Sequence, residues 1–361
     1  MINIVYLGKR GGGALLAKDL LLFGQESNLV NLGMLSSENE LNGYFQGNNK
    51  ITFTSVSHEL RTLWKLPSNL IKQCYVSFKW ASTTRDEIVL FVMPSPFDLV
   101  TMLIIRMFNR KITFICHEYK SHDGEIWPTS RAIRRRIKLS ELVITLNKSD
   151  ADKISKLIFE KSLIVLSHPV LDLQRSIPVI ETKGTEIQHP IFLFVGRIKK
   201  YKGIERLLEA WSRTDKGFLV IAGEGRIEGT IPPRAVVINR WLSEGEIGYL
   251  MDLSDAIIFP YTSASQSGLI PLAISKELTI FVSDLEGLKA QLLNYSDRTI
   301  WIDPIGSETI LGELKSYADQ FIPRIKSGEI ASSGPSMIAF LEDIEETWST
   351  LQRGRDSYGC T

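Results

Sequence analysis

Short, uninterrupted apolar runs recur along the chain, each separated from the next by a longer stretch in which apolar and polar positions mix. In the first half these runs are Ile2 to Leu7, Ile88 to Val92, Ile112 to Cys116, Leu142 to Leu146 and Ile164 to Leu166. In the second half they are Ile191 to Val195, Phe218 to Ala222, Val236 to Ile238, Ala256 to Phe259, Thr279 to Val282 and Thr299 to Ile302. Aliphatic, β-branched runs without alternation suit strands buried on both faces, as parallel strands are when helices cover both sides of their sheet. The pattern predicts an α/β protein. Between the two sets lies Asp172 to Pro190, punctuated by Pro178, Gly184 and Pro190 and lacking periodicity, which reads as a linker. Residues 1–172 and 173–335 are therefore expected to form separate domains. Beyond them, Met337, Ile338, Phe340, Leu341, Ile344, Trp348 and Leu351 fall on a helical stripe behind a Pro335-Ser336 start signal. A final helix over 336–353, able to pack back on the N-terminal domain, is expected.

Composition narrows the class. The 361 residues, 44% of them hydrophobic, are enough for two ordinary domains with their own cores. The 42 basic and 41 acidic residues nearly cancel, so no bulk field argues for nucleic acid as a partner. Cys74, Cys116 and Cys360 form neither a CxxC clip nor an even disulfide set, which points to a reducing compartment and a cytoplasmic protein. The N-terminal apolar run precedes its charges and is too short for a secretory signal, so it reads as a first strand. The longest apolar window, Leu99 to Phe108, is broken by Arg106 and falls short of the roughly 20 residues of a spanning helix. A soluble or peripheral protein is expected.

Chemistry gathers where strands end. Phe194-Val195-Gly196-Arg197 closes one strand, and Lys202-Gly203 follows. A glycine there lets a ligand approach the backbone, and Arg197 and Lys202 then stand at the carboxyl edge of a sheet, where open α/β sheets bind ligands. Two fixed cations suit a diphosphate, the arginine as a planar fork and the lysine as a mobile point charge. Ser265-Gln266-Ser267-Gly268 then precedes a predicted helix whose positive end would favour phosphate. In the first half, His117-Glu118 and His122 through Glu125 follow a strand directly. His117, Glu118, His122, Asp123 and Glu125 are all possible zinc ligands, but their spacing is not His-Glu-x-x-His, so no metal is assigned.

Weaker signals complete the list. Gly11-Gly12-Gly13 lacks the G-x-G-x-x-G pattern and argues only for close backbone approach. Asp150-Ala151-Asp152 matches a cation-holding D-x-D, although Ser149 and Asp150 capping the following helix explains it better. Residues 131–138 carry five cations in eight positions, and residues 58–80 mix lysines with Leu70, Ile71, Phe78 and Trp80. Such basic, aromatic segments suit peripheral contact with an anionic membrane.

Taken in order, these stretches resemble the GT-B glycosyltransferases, in particular the retaining family 4 group that builds bacterial surface polysaccharides such as lipopolysaccharide and exopolysaccharide. The resemblance spans Gly11 to Gly13, His117-Glu118 with His122, Gly196-Arg197 with Lys202-Gly203, Ala222-Gly223-Glu224-Gly225, and Pro260-Tyr261 through Gln266-Ser267-Gly268 to Ala273. It implies two Rossmann-like, doubly wound parallel-sheet domains facing a cleft. It also implies a metal-independent hexosyl transfer with no cofactor, from a UDP-, GDP- or other nucleotide-sugar to a glycan or lipid-linked acceptor, at the inner face of the membrane. Arg197 and Lys202 match the pair that stabilises the leaving diphosphate, and His117 the histidine beside the donor sugar. Gly12, Gly13, Gly196, Gly223, Glu224, Ser265, Gln266, Ser267, Gly268 and Leu269 fall at donor-binding positions, and Glu118 and His122 on the sugar or acceptor side. The sequence departs from the family at its Glu-x7-Glu pair, here Ser265 and Ala273, and at a later glutamate, here Ala290. A Gln-Ser-Gly subset of the family is closer. Two rivals remain open: a nucleotide-sugar-binding protein without activity, and a nicotinamide-dependent oxidoreductase, whose glycine fingerprint is missing.

Overall fold

The computed structural model describes residues 1–54, 66–84, 87–95, 97–108, 111–119, 128–158, 162–169, 188–228, 230–323 and 336–358. Among them thirteen strands form two parallel sheets. The first sheet comprises β1 (Ile2–Tyr6), β2 (Val30–Ser36), β3 (Ile51–Thr54), β4 (Ile88–Phe91), β5 (Ile112–Cys116), β6 (Leu142–Thr145) and β7 (Ser162–Val165), in the order β3-β2-β1-β4-β5-β6-β7. The second comprises β8 (Ile191–Val195), β9 (Phe218–Ala222), β10 (Ala235–Ile238), β11 (Ala256–Phe259), β12 (Thr279–Ser283) and β13 (Thr299–Ile302), in the order β10-β9-β8-β11-β12-β13. Each sheet reverses its winding once, between β1 and β4 and between β8 and β11. Those two points open the crevices where doubly wound sheets take ligands.

All eleven expected strands form. Two more, β2 and β3, join the first sheet without having been expected. Asn31 and Gly33 interrupt the apolar run of β2, and β3, at the sheet edge, alternates Ile51-Thr52-Phe53-Thr54 with only its ends buried. An edge strand needs no continuous apolar run, because one of its flanks stays open.

The helices are α1 (Gly12–Glu26), α2 (Asn42–Phe45), α3 (Leu66–Thr83), α4 (Asp98–Arg106), α5 (Ser130–Leu139), α6 (Lys148–Ser155), α7 (Ile204–Trp211), α8 (Glu244–Leu253), α9 (Ile270–Ser275), α10 (Glu286–Leu292), α11 (Glu308–Gln320) and α12 (Met337–Tyr358). The chain divides into two compact units, the first built on β1 to β7 with α1 to α6 and α12, the second on β8 to β13 with α7 to α11. The last helix lies against α1. Met337, Phe340, Leu341, Ile344 and Trp348 are buried there, and the Trp348 indole N–H donates to Thr113 Oγ1 on β5 at 2.8 Å. Ile338, on the expected stripe, is instead exposed. Among the described residues no helix is long and apolar enough to cross a membrane.

Candidate functional site

In the second unit the loops after β8 and β11 meet at the winding reversal. Gly196, the first residue past β8, has φ +130° and no side chain, and a Cβ placed on it would lie 3.6 Å from Leu269 Cδ1 and 3.8 Å from Lys202 Nζ. Gly196, Lys202 and Leu269 thus border one small space. The Lys202 ammonium donates to the Tyr261 hydroxyl at 2.8 Å and sits 4.2 Å from the centre of that ring. A hydroxyl acceptor and an aromatic face orient the cation without neutralising it. Arg197 is exposed on the turn that Gly196 begins.

Close backbone contacts set this geometry. A Cβ on Gly203, where φ is +67°, would lie 1.9 Å from the Pro260 carbonyl oxygen. Only glycine permits the single 3-10 turn Lys200–Lys202 to dock against the loop after β11. Thr262 N–H then donates to the Tyr201 carbonyl at 2.7 Å. Arg206 spreads its guanidinium over three carbonyls, Pro260 at 3.1 Å, Asp303 at 2.8 Å and Gly306 at 2.9 Å, joining the loops after β11 and β13. On the other side, Gly223 after β9 lies so close to Gly196 that a Cβ would sit 1.9 Å from the Gly196 carbonyl oxygen. Glu224 is exposed, and its carbonyl accepts from Ile198 N–H at 2.9 Å.

The stretch expected to cradle phosphate is built differently from the expectation. The helix after it begins only at Ile270 and runs to Ser275, less than two turns, so its end carries little macrodipole. Ser267 is buried, and its backbone N–H is bonded to the Gln291 carboxamide at 2.7 Å rather than left open for an anion. Gly268 is exposed and Leu269 half-buried. Ser265 Oγ is shielded from solvent and meets no hydrogen-bond partner. The two positions where the resembling family carries glutamate differ in setting: Ala273 is fully buried in α9, whereas Ala290 is exposed.

In the first unit, His117 stands just past β5 and is buried. Its Nε2–H donates to the Val92 carbonyl, just past β4, at 2.9 Å. Burial, reinforced by the neighbouring His168, lowers its pKa to about 4, so the ring is neutral at neutral pH. The two imidazoles lie 6.4 Å apart, nearly edge to face. Tyr119 N–H, two residues on, donates to Asp150 at 3.3 Å, and the Tyr119 hydroxyl accepts from Arg134 at 2.6 Å. Glu118, between them, is half-buried.

One helix start here corrects the sequence reading, and a second adds to it. Asn147, not Ser149 or Asp150, caps α6, accepting from Asp150 N–H at 2.8 Å. At α1, Gly11 N–H donates to the Glu40 carboxylate at 3.0 Å, so a carboxylate of the chain itself occupies that anion-attracting end. Gly13 is buried against Met93 and Tyr6, where a Cβ would overlap the methionine sulfur, whereas Gly12 faces open space. His122, Asp123 and Glu125 lie outside the described residues, as do the linker positions Asp172 to Ile187. Sequence reasoning missed His168, although a histidine right after a strand is the same signal that marked His117. It also missed Glu40 and Gln291, for which no local pattern exists.

Two parallel doubly wound units with loops converging at each winding reversal define the GT-B fold. No protein-family model matches the chain, and no curated protein matches it. Solved structures do. HepE (Alr3699) of Anabaena, in complex with UDP and glucose, is 13% identical, with a TM-score of 0.69 over 97% of this chain and 99% of that one. A glycosyltransferase from Rickettsia africae is 14% identical, with a TM-score of 0.67 over 97% and 98%. A putative UDP-N-acetylglucosamine 2-epimerase from Listeria monocytogenes is 10% identical, with a TM-score of 0.65 over 99% and 96%. Likenesses at this identity establish the fold, which transferases and epimerases share.

Proposed function

We propose that the chain is a retaining, metal-independent glycosyltransferase of the family 4 kind, moving a hexosyl group from a nucleoside-diphosphate sugar to a hydroxyl of a glycan or lipid-linked acceptor. The observation that carries this reading is the space bordered by Gly196, Lys202 and Leu269 at the winding reversal of the second unit, with Arg197 on the adjoining turn. In the reaction the bond from the anomeric carbon to the diphosphate oxygen breaks and the acceptor oxygen bonds from the same face. The acceptor proton passes to the departing phosphate. Negative charge grows on that phosphate, and fixed cations stabilise it most where water is excluded. His117, neutral and bonded to Val92, suits positioning of the donor sugar rather than proton abstraction. HepE, crystallised with UDP and glucose, supports a nucleotide-sugar donor.

A thermal-shift and calorimetric panel of UDP-, GDP-, ADP- and dTDP-sugars tests the reading. One base is expected to stabilise the protein by about 2.7 kcal/mol at 100 times its dissociation constant. No response to any of them would remove the reading. Binding without transfer to any acceptor would leave a silent binding protein, and inversion at C2 of a UDP-sugar without acceptor would make the chain an epimerase.

The proposal extends to an anionic membrane as a peripheral partner, on a surface the structure narrows. α3 and α5 contain no acidic residue, and the one carboxylate of α4, Asp98, is buried. Ile71, Tyr75 and Phe78 are exposed along α3, as are Leu103 on α4 and Met107 just past it, with Phe78 meeting Phe108 edge to face at 5.1 Å. Lys72, Lys79 and the outer α5 residues Arg131, Arg134, Arg135 and Lys138 are exposed as well. Trp80 and Arg136, which the sequence reading placed with them, are buried; His58, Arg61 and Trp64 lie outside the described residues. Sedimentation with phosphatidylglycerol vesicles should fall about fivefold per cation in Lys72→Glu and Lys79→Glu, and with added salt. Equal sedimentation with neutral phosphatidylcholine vesicles would discard this surface.

A further inference from the structure

The loop Ser265 to Gly268 is not held by a helix of its own. Its support comes from one face of α10. Gln291 presents its carboxamide to the backbone of Ser267 at two points: Oε1 accepts from Ser267 N–H at 2.7 Å, and Nε2 donates to the Ser267 carbonyl at 3.1 Å. A carboxamide carries the same donor and acceptor as a peptide group, so Gln291 stands in for a missing strand neighbour. One turn earlier on the same face, Gly287 is buried, and a Cβ there would lie 2.2 Å from the Ser265 carbonyl oxygen and 2.6 Å from its Cα. The loop backbone therefore rests directly on the helix. At its other end the same segment is tied through Thr262 to Tyr201 and through Pro260 to Arg206, beside Lys202. Between these anchors Ser265 Oγ is shielded from solvent without a hydrogen-bond partner.

We propose that Gln291, with Gly287, is a positioning element that fixes the Ser265–Gly268 loop for a nucleoside diphosphate. This rests on the transferase reading above. The carboxamide spends its own hydrogen bonds on Ser267, so it acts through the loop rather than on the ligand. A loop held in its bound shape before the ligand arrives loses less freedom on binding, which raises affinity without any added contact.

The test compares Gln291→Met, which keeps length and volume but neither hydrogen bond, and Gln291→Glu, which keeps the acceptor for Ser267 N–H, with the wild type. Amide exchange at Ser267 in the ligand-free protein reads the clamp alone, and calorimetry with UDP, GDP, ADP and dTDP reads its consequence. Gln291→Met should exchange faster at Ser267, bind the preferred nucleotide roughly tenfold more weakly and raise KM for its sugar more than it lowers kcat. Gln291→Glu should recover part of the protection and affinity. Gln320→Met, at an exposed position in the last turn of α11, should change nothing. Unaltered exchange in Gln291→Met would overturn the clamp, and faster exchange with unaltered affinity would overturn its positioning role. A wild type that binds none of the four would take the transferase reading down first, and this proposal with it.

Discussion

Lys202→Ala and Arg197→Ala are each expected to lower turnover with the true donor by roughly 10² to 10³, the loss seen when one preorganised charge-stabilising group is removed. The argument starts from charge. A departing diphosphate gains negative charge as the glycosidic bond lengthens, and a cation already in place stabilises that charge without reorganisation. Lys202 meets the condition of being in place: the Tyr261 hydroxyl at 2.8 Å and ring centre at 4.2 Å orient its ammonium, and Gly196 brings no side chain against it. Arg197 follows that glycine directly. Tyr261→Phe keeps the ring and removes only the hydroxyl acceptor, so its loss should be much smaller than that of Lys202→Ala. Steady-state turnover measured with the nucleotide-sugar identified by the binding panel decides the matter. Unchanged kcat in both alanine variants would leave the second unit's crevice without a chemical role.

The largest loss of stability is expected in the first unit, at Asp98. Its carboxylate is buried, accepts from Ser95 N–H at 2.7 Å and from Arg136 Nε at 2.9 Å, and pairs a second time with the Arg136 guanidinium, which is itself fully buried. Arg136 also donates to the carbonyls of Ser95 at 2.6 Å and Ala132 at 2.8 Å. Asp98→Ala would leave a guanidinium in the core with no counter-charge, a situation that costs about 3–5 kcal/mol. Asp98→Asn, which keeps the shape and part of the hydrogen bonding, should cost less. Truncating the exposed pair Arg213 and Glu308 should leave the denaturation midpoint where it is. The Asp98–Arg136 pair ties α5 to the start of α4, and Arg136 also holds Ser95 in the loop after β4, the loop that carries the Val92 carbonyl to which His117 donates. Denaturant titration of the three variants checks the order, and equal midpoints for Asp98→Ala and the wild type would refute it.

Much of the fold was legible because parallel strands buried on both faces must be apolar throughout, and such runs are visible one at a time. The final helix was legible for a related reason, since its stripe at Met337, Phe340, Leu341, Ile344 and Trp348 repeats with the period of a helix. β2 and β3 were not, because Asn31, Gly33 and the threonines of β3 depend on neighbours across the sheet rather than on neighbours in the chain. The candidate site divides the same way. Gly196, Lys202 and His117 announce themselves as residues at strand ends. Glu40 against Gly11, His168 against His117 and Gln291 against Ser267 are partners more than 20 positions apart, and no local spacing joins them.

The chain alone determined the alternation of strands and helices, the two sets of strands and the small and charged residues that follow β8 and β11, since each is a property of a few consecutive side chains. Only the tertiary structure decided which strands adjoin at the winding reversals, and therefore that Gly196, Lys202 and Leu269 border one space. It also decided that Arg136 and Trp80 turn inward while Lys72 and Phe78 turn out. Burial and proximity are set by packing between segments distant in sequence, and a charge or an aromatic ring reads the same in the chain whether packing covers it or leaves it in water.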